Sequence, residues 1–239
     1  MKTRIHRVCR AGFTASRLAF FLIILAALSS CATHQSAQAS SGHLVFRSDE
    51  YIICKLKSNE TPDALAGRFL NDTQKSWIIE DANEGARFTT GETIVIPLQQ
   101  ENIGGVMANG YQTVPVVGYN QFSEDCEGRS SCITTHVFEQ QMKYLQDNGY
   151  RVIAMNKFLD FLYYRGAIPK RSVVITIDGN HKSAYDIAYP ILKKYAYPST
   201  IFIYPDTIGT EETSLTWDQL KQLMADGFEV GCFAFSNKE

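Results

Sequence analysis

Ser172-Val173-Val174-Ile175-Thr176-Ile177-Asp178-Gly179-Asn180-His181 is the stretch that decides the fold. Residues 173–177 are a continuous β-branched run, as expected of a strand covered on both faces of a parallel sheet. The run then stops abruptly at a carboxylate, a glycine, an amide and an imidazole. Chemistry in parallel α/β folds collects at the carboxyl ends of strands, so this abrupt change marks both a strand end and a candidate site.

Working outward, strands and helices alternate. Residues 114–119 and 151–155 read as strands. Phe138, Met142 and Leu145 recur at helical spacing with Gly149 as a stop, and residues 157–164 and 184–195 also read as helical. Residues 200–204 form the next strand. Thr216-Trp217-Asp218-Gln219 is a capping box that opens a helix to Ala225, and residues 228–232 are the last strand. Strands alternating with helices imply βαβ units and a parallel sheet. A second strand end, Gly231-Cys232-Phe233-Ala234-Phe235-Ser236-Asn237, is the other place where chemistry is expected.

Residues 114–239 resemble, in order, the polysaccharide deacetylase family of NodB-homology domains. The resemblance rests on Phe138-Glu139-Gln140-Gln141-Met142, the strand ending at Asp178, Tyr189-Pro190-Ile191-Leu192-Lys193-Lys194-Tyr195 and Leu215-Thr216-Trp217-Asp218-Gln219-Leu220. It implies a (β/α) barrel-like fold and metal-assisted hydrolysis of N-acetyl groups. In that chemistry an aspartate and two histidines hold a divalent metal, often zinc, that polarises the carbonyl and acidifies a bound water. A second aspartate serves as base. Carried over position by position, Asp178 stands at the base. Gly179, Phe233 and Asn237 stand at the three metal positions. Glycine and phenylalanine have no donor, and an asparagine oxygen is a poor zinc ligand. No cofactor is therefore expected in this chain, and Asp178 is read as a vestigial base. His181 with Asp178 falls short of three protein ligands, so it is read as a solvent-exposed residue opening a helix. The sequence ends at Glu239, before the family's later motifs, so the barrel-like domain is expected to be incomplete and its last strand to leave an open edge.

Residues 45–98 form a smaller unit. Residues 51–54 read as a strand, Thr61-Pro62-Asp63 as a helix start, residues 74–81 as a second helix and residues 93–97 as a closing strand. This βααβ order, with Asn59-Glu60-Thr61, Asn83 and Gly91-Glu92-Thr93-Ile94-Val95-Ile96-Pro97, resembles a LysM domain. Asn59 replaces the family's glycine, and asparagine tolerates a positive φ. The resemblance implies contact with N-acetylglucosamine chains through Asn59, Glu60, Thr61 and Asn83. A structural cap on the following domain is the alternative. Residues 99–113, with Gly104, Gly105 and Gly110, read as a linker.

The first thirty residues carry Lys2, Arg4, Arg7, Arg10 and Arg17 and no acid, with an apolar run over residues 18–28. This is the pattern of a secretory signal. Leu28-Ser29-Ser30-Cys31 resembles a bacterial lipobox, which implies a lipid on Cys31 and, with Ala32 after it, an envelope lipoprotein at the outer membrane facing the periplasm. Residues 31–44 then read as lipidated cysteine and flexible tether. Several acyl chains anchor stably where one does not. The whole chain has 239 residues and a net charge of −2; without residues 1–30 the charge becomes −7, because five cations and no acid leave. Nothing in that balance points to nucleic acid. Cys126 and Cys132 flank a short polar loop, and the sequence leaves open whether they pair or stay as thiols. Cys54 and Cys232 are expected to be buried in strands.

The resulting reading is a catalytically impaired, glycan-associated envelope lipoprotein. An active N-deacetylase with an unrecognised site and a truncated gene product without function are its alternatives.

Overall fold

The computed structural model describes residues 43–99, 103–107 and 110–233. Cys31 and Asn237, and with them the signal, the lipidation site and one of the three metal positions, lie outside the described residues. Residues 42–239 form one compact unit with two hydrophobic cores.

The smaller core lies between three strands and two helices. The strands are β1 (His43–Arg47), β2 (Tyr51–Lys55) and β3 (Thr93–Pro97), paired antiparallel in that order. The helices are α1 (Pro62–Phe69) and α2 (Ser76–Ala82). Alternation along β2 and β3 turns Ile52, Cys54, Ile94 and Ile96 inward against Leu65, Ala66 and Ile79. Thr61 caps α1 by accepting from the Ala64 N–H, with Pro62 opening the helix. The expected strand, helix, helix, strand order holds. It is extended by β1, whose first two residues fall within the expected tether. β1 pairs antiparallel with β2 through a bulge between Leu44 and Phe46, a pairing that short-range pattern does not announce.

Two short pairings separate this unit from the larger one. The expected linker contains a hairpin of β4 (Val106–Met107) and β5 (Gly110–Tyr111). Further on, β7 (Gln121–Ser123) pairs parallel with β8 (Cys132–Thr134), just past β6 (Val116–Tyr119).

The larger core belongs to a parallel sheet. Besides β6 its strands are β9 (Arg151–Val152), β10 (Ser172–Asp178), β11 (Thr200–Ile203) and β12 (Glu229–Cys232). They lie in the order β12-β11-β10-β6, with β9 pairing the start of β10. Every pairing among them is parallel, as the alternating pattern requires. β10 lies centrally, and its residues are buried up to Thr176 and Ile177, with only Asp178 emerging. Helix α3 (Thr135–Asp147) buries Phe138 and Met142, and Phe138 packs edge-on against Phe122 and Tyr119.

Several boundaries differ from expectation for identifiable reasons. The strand expected over residues 151–155 stops at Val152, because α4 (Met155–Leu162) begins sooner. Ala154 offers α4 no side-chain cap; the Glu229 carboxylate does so from β12, accepting from the N–H groups of Met155 at 2.8 Å and Asn156 at 3.2 Å. The helix over residues 184–195 is two pieces: a π-helical turn (Ala184–Ala188) and then α5 (Tyr189–Lys194). Pro190 has no N–H to continue an α ladder, which suits a π turn ahead of it. The capping box of α6 (Trp217–Ala225) is complete in both directions. Cys126 and Cys132 are disulfide-bonded, with Cα atoms 5.5 Å apart. Cys54 is buried as expected; Cys232 is exposed, because it ends an edge strand. Among the described residues, no helix is long and apolar enough to cross a membrane.

Candidate functional site

The carboxyl ends of β6, β10, β11 and β12 converge on one edge of the sheet. β10 delivers Asp178 there, and the neighbouring β6 delivers Asn120 just past its last residue. The Asn120 Nδ2 donates to the backbone carbonyl of Asp178 at 2.9 Å, which locks the two strand ends together. The Asp178 side chain accepts no hydrogen bond among the described residues. Partial burial without a partner pushes its carboxyl above the ordinary aspartate value.

The chain then turns at Gly179. Its N–H still donates to the Phe202 carbonyl at 2.8 Å, but its φ is +96°. A side chain here would find room: a Cβ would stand 3.7 Å from both Asn120 and His181. The backbone is the obstacle, since L-residues rarely adopt this φ. The turn drives Asn180 into the wall, 8% exposed. There its Nδ2 donates to the Tyr204 carbonyl and the Thr207 hydroxyl, both at 2.5 Å, while its Oδ1 accepts from the Tyr204 N–H at 3.0 Å. Asn180 is thus the pin between β10 and the end of β11. Sequence pattern gives neither it nor Asn120 a role, though an amide directly behind an apolar strand is a visible signal.

His181 does not open a helix. It is partly buried and forms an isolated antiparallel bridge with Ser214, so the loop after β10 is tied to the loop before α6. His181 and Gly179 line a cavity of about 180 Å³. Asp178 instead lines a separate cavity of about 430 Å³, with Tyr119, Gln141 and the disulfide-bonded Cys132. Asn120 stands between the two. Burial pushes the Tyr119 phenol up to about 12, so it remains a neutral hydroxyl, donating to Gln141 Oε1 at 2.7 Å.

Phe233 emerges at the end of β12, 58% exposed, and its ring leans on Tyr204 with centroids 5.3 Å apart. The donor set required for a catalytic zinc is therefore not met at the described positions. Gly179 and Phe233 offer nothing, and Asp178 and His181 border different cavities. No three His, Cys, Asp or Glu residues gather closely enough to hold a metal among the described residues.

The residues expected to contact glycan are largely occupied in holding the small unit together. Asn83 donates through Nδ2 to the carbonyls of Ile79 (2.7 Å) and Val95 (2.6 Å) and accepts from the Val95 N–H (2.8 Å). It ties the end of α2 to β3. Thr61 is the α1 cap. Glu60 accepts from the Lys57 N–H at 2.8 Å and pairs with Arg68 at 2.6 Å. Burial works against its ionisation, but the N–H and the guanidinium outweigh it and hold the carboxyl below its ordinary value. Asn59 adopts φ +65°, the conformation for which the family's glycine position suggests a permissive residue.

Residues 165–239 match the family model described as polysaccharide deacetylase. The poly-beta-1,6-N-acetyl-D-glucosamine N-deacetylase of Staphylococcus aureus (strain MSSA476) is 34% identical over 117 residues, which cover 48% of this chain and 39% of that protein. The chain spans about two fifths of the length of the curated relatives it matches. Among solved structures, IcaB from Ammonifex degensii superposes with a TM-score of 0.47 at 27% identity, over 52% of this chain and 55% of that one.

Proposed function

We propose that this chain, whose residues 165–239 match the polysaccharide deacetylase family model, is a glycan-associated, catalytically impaired member of that family. On this reading it is anchored in the bacterial envelope through lipid on Cys31, at the outer membrane facing the periplasm. Its polymer is an N-acetylglucosamine-containing polysaccharide, the class of polymer for which the staphylococcal relative is named. The small antiparallel unit is LysM-like and contributes to glycan association.

The observation that carries the impairment is the chemistry of the strand ends. A metal position held by glycine at φ +96° and another held by a phenylalanine leaning on Tyr204 cannot coordinate. No hydrolytic step is assigned through a metal here. What the residues do is hold a shaped, partly polar edge: Asn120 and Asn180 lock the strand ends, and Tyr119 presents a neutral hydroxyl.

Full-length protein should retain N-acetylglucosamine polymer in a pull-down, release no acetate from it, and hold no stoichiometric zinc by elemental analysis. Stoichiometric zinc together with acetate release overturns the reading. Incorporation of labelled palmitate that is abolished by Cys31→Ser supports the anchor, and equal labelling of the variant refutes it. Asp178 favours a second reading, an active N-deacetylase built from other residues, because a partly buried carboxyl is kept at the base's place. Acetate release lost in Asp178→Asn would establish that reading.

A further inference from the structure

Strand β1 lies at one edge of the small sheet. It pairs with β2 on one side and with no strand on the other among the described residues. Leu44, Val45 and Phe46 follow one another along it, 56%, 61% and 47% exposed. Single exposed apolar residues are ordinary on a protein surface, but three in succession on a free edge need a partner. The strand is built against one kind of partner. A bulge between Leu44 and Phe46 breaks its register, and Arg47 stands exposed at its end. Bulges and charges are the devices by which native edges turn away an added strand. Neither device shields the side chains from a surface that makes no ladder hydrogen bonds. The exposed charges closest in sequence and register balance in sign, Arg47 and Lys55 against Asp49 and Glu50. A contact at this edge would therefore be made by apolar burial rather than by attraction to anions.

We propose that β1 is a bilayer-contacting edge, with Leu44, Val45 and Phe46 seated at the headgroup level of the membrane that holds the lipid on Cys31. Position along the chain selects this occupant. Residues 32–42 are all that separates Cys31 from β1, so Leu44 lies at most ~45 Å from the anchored cysteine. A lipid surface is thus present at high effective concentration, and even a modest contact is populated. The depth follows from the free edge. Its unpaired N–H and C=O groups are costly in hydrocarbon, so the strand stays at the level where water reaches them. The proposal rests on the anchor reading and adds a second contact, made by the folded protein itself.

Phe46→Trp in the lipidated chain, reconstituted at one copy per phosphatidylcholine nanodisc, reports the contact against the background of Trp77 and Trp217. Lipid brominated near the headgroup end of its acyl chains should quench the added emission at least about twofold, and more than lipid brominated near the chain end, as expected of interfacial seating. Leu44→Ser/Val45→Ser in the same chain should abolish that quenching, with circular dichroism melts confirming that it folds. Raising the sodium chloride concentration should leave the quenching unchanged. Added emission that neither brominated lipid quenches, in protein that still carries palmitate on Cys31, overturns the contact and leaves the anchor reading intact. Quenching lost at high salt overturns it in favour of headgroup charge, and emission that shifts only when discs hold two copies overturns it in favour of a second copy of this chain. Parent protein that carries no lipid overturns the anchor reading and the contact together.

Discussion

Replacing Asn83 by alanine separates two roles for one residue. By resemblance Asn83 belongs to a glycan-contacting loop; by geometry it is the tie between α2 and β3, with three hydrogen bonds of 2.6 to 2.8 Å. Alanine leaves the Val95 N–H and two carbonyls without their partner. At about 1 kcal/mol net per bond, with some water reaching the partly exposed site, the loss should be ~2–3 kcal/mol. For a unit of this size that corresponds to a fall in Tm of roughly 5–10 °C. Urea unfolding followed by far-UV circular dichroism measures it, with the change read from the midpoint at constant m-value. Binding of N-acetylglucosamine polymer by the still-folded variant should be close to that of the parent. A variant that loses polymer binding while its unfolding midpoint stays put would refute the structural assignment and return Asn83 to the ligand.

The remaining predictions concern the larger core. Glu229→Ala removes the carboxylate that caps α4 and accepts from the Thr200 hydroxyl at 2.9 Å, so stability should fall by about 1–2 kcal/mol, measured by denaturant unfolding; an unchanged midpoint would show that α4 needs no cap from β12. Opening the Cys126–Cys132 bridge with Cys126→Ser/Cys132→Ser should cost ~2 kcal/mol, the loop-closure value for so short a ring; equal stability of the double variant and the oxidised parent would contradict it. Asp178 has a folded-state carboxyl raised above its unfolded value by burial. The folded state therefore holds its proton longer, and this group's contribution to stability falls as pH rises through the carboxylate range. Asp178→Asn should raise Tm at neutral pH, with the gain vanishing at pH values below that range; a gain that is independent of pH would point to another cause.

The parts of the fold legible in the sequence are those set by contiguous residues. The β10 run, the caps at Thr61 and Thr216 and the positive φ at Asn59 all depend on near neighbours, and each stands where the sequence puts it. What is not legible depends on partners far along the chain. Glu229 starts a helix 74 residues earlier, β1 acquires its role only through pairing with β2, and His181 is set by a bridge to Ser214. The site divides in the same way. Pattern alone finds Asp178 and Gly179 at the strand end, whereas the separation of Asp178 from His181 into two cavities follows from how Asn120 and Asn180 pin the loops.

The fastening at Glu80 and Asp81 has a kinematic consequence. Modules joined by a slack linker sweep out a volume and meet their target by diffusion, at an effective concentration set by linker length. Here the small unit is bolted to the larger one through Arg151, Lys170 and the two carboxylates of α2. Sweeping gives way to a constant offset, as in a jig: α2 is held at one angle and one spacing from the start of β10. Lengthening residues 99–113 should therefore change little, whereas cutting the bolts should turn a rigid gauge into two beads on a string.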